Sequence, residues 1–286
     1  MTPDQIKAAR ELLAFYVEAG VDTAIGEEAV DRFADQSASA SSLADENKTS
    51  TSAPRSLATG KPARPAATPG IVRPADAGPA PAAPDAAALA AREAARSAAS
   101  LDDLRAILEH FDGCALKTTA TQLVFADGNP QARLMFVGEA PGRDEDLEGL
   151  PFVGRSGKLL NRMMAAIGLD RTGAYIANIV PWRPPGNRTP TPQESGICLP
   201  FILRQIELAD PDILVCLGGP SAQTLLGIKE GIRKSRGRWH AYHTGTRDIR
   251  ALATFHPAYL LRSPLEKRLA WRDFLAIKAA LAQPTS

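Results

Sequence analysis

Four short apolar runs, Arg133–Val137, Ala174–Val180, Ile213–Leu217 and Leu252–Phe255, are each followed by a loop rich in glycine or proline and most then by helical periodicity. Strands separated by helices pair through crossovers, which makes them parallel and puts helices on both faces of the sheet. The pattern predicts an α/β fold, a three-layer αβα sandwich with a central, mostly parallel four-stranded sheet. Helices are expected from about Gly157 to Ile167, Pro192 to Ala209, Pro220 to Leu226 and Leu265 to Leu281. Thr191-Pro-Gln-Glu194 is a capping box with proline at the first helical position. In such a sheet the crevice lies beyond the carboxyl ends of the strands. The unusual segments all follow strands: Gly138-Glu-Ala-Pro-Gly142, Trp182-Arg-Pro-Pro-Gly-Asn187, Gly218-Gly-Pro-Ser221 and His256-Pro-Ala-Tyr-Leu-Leu-Arg262. These four loops are expected to share one rim.

The remainder of the chain divides by composition. Residues 1–34 read as an N-terminal helical segment, with Ile6, Leu12, Leu13, Phe15, Tyr16 and Val17 spaced for an apolar stripe and Gly20 as a break. Residues 35–84 are Ala, Pro, Ser, Thr and Gly with almost no aromatic side chain, a composition that cannot offset chain entropy and reads as a disordered linker. Helical periodicity returns at Asp85–Phe111, giving a leading helix over 85–104 and a folded domain over 105–286. The N-terminal segment is a candidate surface for a protein partner at the end of a flexible tether.

No run of about 18 apolar residues occurs, and the first residues lack the basic and apolar regions of a signal peptide. A cytoplasmic protein is expected, without membrane association and monomeric. The net charge of +1 hides an asymmetry. Residues 1–130 carry 12 Lys and Arg against 18 Asp and Glu, and residues 131–286 carry 21 against 14. A basic second half suits a polyanion such as nucleic acid, or is ordinary solvated surface. Arg188, Arg262 and the run Lys229–Arg250 are the candidates to meet phosphates.

Between Met135 and Gly157 five glycines surround five carboxylates and one apolar tripeptide, Pro151-Phe152-Val153. Glycine lets a ligand approach the backbone, but the G-x-G-x-x-G spacing and a Walker motif are both absent. The cluster Glu139, Asp144, Glu145, Asp146 and Glu148 is either a Mg²⁺ site or a solvated loop. Phe152 is either a core plug or a stacking face. Asn178, inside a strand, is either a structural hydrogen bonder or a reader of a base edge, since a carboxamide offers donor and acceptor in one plane. His256, at a strand end, is placed to act near neutral pH.

The segments Gly138-Glu-Ala-Pro-Gly142, Pro151-Phe-Val-Gly154, Asn178 before Arg183-Pro-Pro-Gly-Asn-Arg188-Thr-Pro-Thr-Pro192, and His256-Pro-Ala-Tyr-Leu-Leu-Arg262 together resemble the bacterial family 4 uracil-DNA glycosylases, over roughly residues 105–282. The resemblance implies base excision: a uracil rotated out of DNA and its N-glycosidic bond hydrolysed to leave an abasic site. It implies Phe152 as the stacking residue and Asn178 as the partner of uracil O4 and N3–H. Gly138, Ala140 and Gly142 then line the base, with Ala140 as a backbone contact. Among the carboxylates it implies Glu139 or Glu145, with Asp146 as a third candidate, to orient water and stabilise the sugar cation. It implies His256 at the departing base, and Arg188, Gly218, Ser221 and Arg262 along the DNA. A relative that only binds uracil-DNA, or is trapped covalently on it, is the alternative; the extra histidine that resembles trapping chemistry does not follow Asn187.

The same resemblance brings a [4Fe–4S] cluster held by four cysteines, yet the corresponding positions read Phe111, Cys114, Trp182 and Cys198. Two thiolates do not make a cubane site. The expectation is a variant with no metal cofactor, in which Phe111 and Trp182 fill the vacated volume; the alternative is that Cys114 and Cys198 bind a different metal or form a disulfide, the latter disfavoured in a cytosolic setting. The third cysteine, Cys216, lies mid-strand as a small core residue.

Overall fold

The computed structural model describes residues 84–283. The N-terminal helical segment and almost all of the Ala/Pro/Ser-rich stretch lie outside the described residues.

A six-stranded sheet forms the middle layer, with strands β1 (Asp127–Gly128), β2 (Leu134–Gly138), β3 (Tyr175–Asn178), β4 (Ile213–Leu217), β5 (Trp239–His243) and β6 (Asp248–Thr254). Their order is β1-β3-β2-β4-β6-β5, and the four central strands run parallel. These four are the apolar runs of the sequence. The expected four-stranded sheet is thus extended by an edge strand on each side, both antiparallel to their neighbours. Neither edge announces itself: β1 is a Asp-Gly pair, and Trp-His-Ala-Tyr-His in β5 has only Tyr242 buried.

Every residue of β2 and β4 is buried. Alternation along β2 sends Met135 and Val137 into one apolar cluster and Leu134 and Phe136 into the other, so each sheet face has its own core. On the first face pack α1 (Pro84–Ser97), α2 (Leu101–His110) and α6 (Pro192–Ala209); on the second lie α5 (Arg155–Ala166) and α10 (Lys267–Leu281). Short helices α3 (Leu116–Thr119), α4 (Arg143–Glu148), α7 (Gly219–Leu226), α8 (Ile232–Ser235) and α9 (Pro257–Arg262) fill the connections. Among the described residues no helix is long and apolar enough to cross a membrane.

The leading helix differs from the sequence reading. It breaks at Ala98–Ser100, where the Ser100 hydroxyl accepts from the Asp103 N–H and starts α2 afresh. The folded region also begins before residue 100, because Ala87, Ala91, Ala95 and Ala98 are buried in the first core. Arg204 of α6 donates to the Ala98 carbonyl at 3.2 and 2.7 Å and closes the end of α1.

At the start of α6, Thr191 Oγ1 accepts from the Glu194 N–H, and Glu194 Oε2 accepts from the Thr191 N–H at 2.7 Å. The same carboxylate receives a forked pair from Arg188 at 2.8 and 2.6 Å. Arg188, with the cap behind it, pulls the Glu194 pKa down to about 2 from an ordinary 4.5. A folded pKa below the unfolded one contributes stability above about pH 4.5 that is lost as pH falls toward about 2. A cap and ion pair of this kind contribute about 1 kcal/mol, or about 2–4 °C in a domain of this size. Glu194→Gln is therefore expected to melt a few degrees below the parent at pH 7, with the gap closing in thermal scans taken between pH 4.5 and 2.

Candidate active site

At the carboxyl ends of the parallel strands lies a cleft of about 550 Å³ that draws on all four post-strand loops through Glu139, Pro184, Gly218 and His256. Its centre is built on an absence. Gly138 ends β2 and is paired in register with Asn178 at the end of β3. A Cβ on Gly138 would lie 2.4 Å from Asn178 Oδ1 and 2.7 Å from Phe152 Cζ. The carboxamide and the aromatic ring occupy the space a side chain would need.

Asn178 is buried, and its Oδ1 is a buried acceptor without a partner. Such an atom is costly unless something supplies a donor. Phe152 is buried with a φ of 55°, an unusual backbone state for a residue with a side chain. Its ring centroid lies 5.5 Å from that of His256, tilted by 32°.

His256 caps α9, with Nδ1 accepting from the Ala258 N–H at 3.1 Å. Nδ1 is thereby unprotonated, and the neutral ring carries its proton on Nε2. Burial, with the charge of Arg262 nearby, pushes its pKa down to about 4. Gly218 comes close behind it: φ is 100°, and a Cβ there would lie 3.1 Å from His256 Cβ.

The carboxylates separate sharply. Glu139 lines the cleft, its Oε1 is buried without a partner, and desolvation raises its pKa above the usual carboxylate range. Glu145 also borders the cleft but is fully engaged: Oε2 accepts from the Gly142 N–H at 3.1 Å, and Oε1 from the Val153 and Gly154 N–H groups at 3.1 and 3.0 Å. It ties the loop after β2 to the Phe152 loop. Asp146 does not line the cleft; it accepts from the Thr121 N–H and hydroxyl at 2.8 and 2.9 Å, with Arg183 at 3.8 Å. Among the described residues no three His, Cys, Asp or Glu side chains are grouped to hold a metal.

The candidate base and DNA contacts divide likewise. Ala140, Gly142, Arg188, Gly218 and Arg262 border the cleft. Ser221 does not: it is fully buried, and its hydroxyl donates to the Val137 carbonyl at 2.7 Å inside the fold. Arg188 is largely neutralised by Glu194. In the run Lys229–Arg250, Arg233, Arg236, Arg238 and Arg247 are all paired with carboxylates, and Arg250 lies over the Trp239 ring. Tyr259 and Ser156 line the cleft and were not singled out from the sequence, although Tyr259 sits within the His256–Arg262 motif.

The four positions where the family resemblance expects cluster cysteines lie together in the first core. Cys114 and Cys198 bring their sulfurs to 3.8 Å, Trp182 is buried, and the Phe111 ring meets Phe201 edge-on at 4.9 Å. The thiol–thiol contact lowers the Cys114 pKa and, with burial, pushes Cys198 up. A [4Fe–4S] cluster needs four soft ligands, and two of these positions offer only apolar rings. The residues present do not fit the group.

Residues 125–275 match the family model of the uracil DNA glycosylase superfamily. The type-4 uracil-DNA glycosylase of Archaeoglobus fulgidus is 40% identical over 182 residues, spanning 62% of this chain and 92% of its own. That of Thermotoga maritima is 44% identical over 151 residues, 52% of this chain and 77% of its own. That of Saccharolobus solfataricus is 40% identical over 174 residues, 59% and 81% respectively. The match runs through the strands and loops that build the cleft, and the chain belongs to the uracil DNA glycosylase superfamily, in its type-4 branch.

Proposed function

We propose that the cleft receives a uracil rotated out of DNA and that the chain hydrolyses its N-glycosidic bond, releasing uracil and leaving an abasic site. The observation that carries this reading is the pair of unpartnered buried acceptors, Asn178 Oδ1 and Glu139 Oε1, in one cleft beside an aromatic ring. Uracil supplies the missing donor to Asn178 through N3–H, and its O4 takes the amide N–H in return. Cytosine presents a lone pair at N3 and leaves Oδ1 unsatisfied, at about 1–3 kcal/mol. Phe152 offers the stacking face, which returns about 1–3 kcal/mol against the cost of flipping.

When the bond between C1′ and N1 breaks, positive charge grows on the sugar and negative charge on the base. Each needs its own preorganised partner. His256 is neutral across the working pH range and donates Nε2–H to uracil O2 as the charge develops. Glu139 faces the sugar, stabilises the cation and accepts a proton from the water whose oxygen bonds to C1′. The departing uracil anion is then protonated from solvent. Glu145, saturated by three backbone N–H groups, holds the two loops rather than the water. Arg262, exposed and without an ion pair among the described residues, meets a neighbouring phosphate.

The same reading takes the chain as cluster-free, monomeric and acting in the cytoplasm on the nucleoid, with the N-terminal segment as the place to seek a repair partner. Iron and sulfide analysis of anaerobically purified protein is expected to find neither in stoichiometric amount. A uracil-binding or covalently trapping protein is separated by electrophoresis: alkali-labile cleavage marks turnover, a band at protein-plus-DNA mass marks trapping, and intact uracil marks binding alone.

Asn178→Asp is expected to lower kcat/KM on a single-uracil oligonucleotide about 10- to 100-fold and to narrow the preference over cytosine; parental kinetics on both would remove this residue from base reading. For pH, the raised pKa of Glu139 places the acid limb of the rate profile above pH 4.5, with activity lost as pH falls and the carboxylate protonates. His256, at about 4, adds no inflection near pH 6.5. Glu139→Gln should cut kcat about 100-fold or more and flatten that limb. A limb that persists unshifted assigns the proton to another group.

A further inference from the structure

Phe152 keeps its ring at Gly138 on a backbone that L-residues disfavour, and the contacts that hold it come from outside the cleft. Arg171 Nη1 donates to the Pro151 carbonyl at 3.1 Å, and Nη2 donates to the Phe152 carbonyl. The same guanidinium donates to the Asp127 carboxylate and, through Nε, to Asn161 Oδ1 at 3.1 Å. On the far side of the carbonyl stands Gly157, where a Cβ would lie 1.6 Å from Phe152 O. The peptide is pinned between α5 and the arginine. Glu145 holds the next two N–H groups, Val153 and Gly154. One cation and one anion therefore take the backbone groups of four successive residues.

Arg171 stands in the 3₁₀ turn Arg171–Gly173, directly before β3, so it is fixed to the strand that ends in Asn178. Asp127 belongs to edge strand β1, and Gly128 lets that strand close on the turn: φ is 90°, and a Cβ there would lie 2.1 Å from the Ala174 carbonyl. Neither Arg171 nor Asp127 lines the cleft. A guanidinium reaches all these acceptors with one rigid fork, and a lysine ammonium cannot.

We infer that Arg171, oriented by Asp127, is a positioning residue for base recognition: it fixes the Phe152 ring relative to Asn178, so that stacking and edge reading operate on the same plane. This rests on the proposed uracil-excising function. It assigns the otherwise unused edge strand a part in that function.

The test is a double-mutant cycle on full-length protein, read by kcat and KM on a single-uracil oligonucleotide and by melting temperature. Arg171→Lys is expected to lower kcat/KM about 10- to 100-fold, as misplacement remote from the chemistry does, with the loss mainly in KM. Asp127→Asn should shift KM the same way by less. In a Phe152→Ala background, Arg171→Lys should cost less than about 2-fold more, because coupled residues are non-additive. Losses that multiply independently, or parental kinetics in Arg171→Lys, overturn the inference. Should Arg171→Lys fail to fold, Asp127→Asn carries the cycle under the same criteria. A parent protein that leaves uracil intact sinks the functional reading and this inference with it, whereas an active parent with independent effects sinks only the positioning role.

Discussion

Everything in the cleft depends on Gly138 lacking a side chain. The parallel register of β2 and β3 sets Gly138 beside Asn178, and that register is held by a core on each face of the sheet. Because the strands are buried on both sides, a slip by one residue would exchange side chains between the two cores and mispack both. The carboxamide is therefore rigid at its root. The Phe152 ring then shares the one volume left open. Carboxamide and ring meet over one glycine, so neither shifts without the other.

Charge around this centre is mostly committed to structure. Glu145 is spent on backbone N–H groups, Asp146 on Thr121, Arg188 on Glu194, and Arg236 on the buried Asp273. Glu145, Asp146 and Asp273 are buried, and buried charges persist only when they are paired or hydrogen-bonded, as these are. The field inside the cleft is left to few groups, chiefly Glu139, with no partner for Oε1, and Arg262 at the rim. A neutral His256 fits this arrangement. An imidazolium there would stand beside Arg262 in a desolvated site, and the low pKa of the ring records that cost.

The parts of this design visible in the sequence share one property: they are local. The four central strands show as apolar runs because both their faces are buried, and α6 shows from Thr191 to Ala209 because its cap is written within four residues. Edge strands carry no such mark; β1 pairs as Asp127 and Gly128 alone. The break before α2 turned on one serine hydroxyl, which periodicity does not register. In the site, the loops that converge were legible from their glycines, prolines and histidine. The partners of the charges were not. Glu145 finds N–H groups eight and nine residues on, and Arg171 finds Asp127 forty-four residues back, so composition alone made both acidic and basic runs look available.

The cluster positions bear on the cleft through geometry rather than chemistry. Trp182, buried in the core, stands just before the segment containing Pro184, Asn187 and Pro190, which lines the cleft. The packing here is apolar: Trp182, Phe111 against Phe201, and two thiols in contact. Packing of this sort is non-directional and worth about 25 cal/mol for each Å² removed from water. A wall built this way meets the Arg-Pro-Pro-Gly-Asn loop through the shape of its apolar side chains.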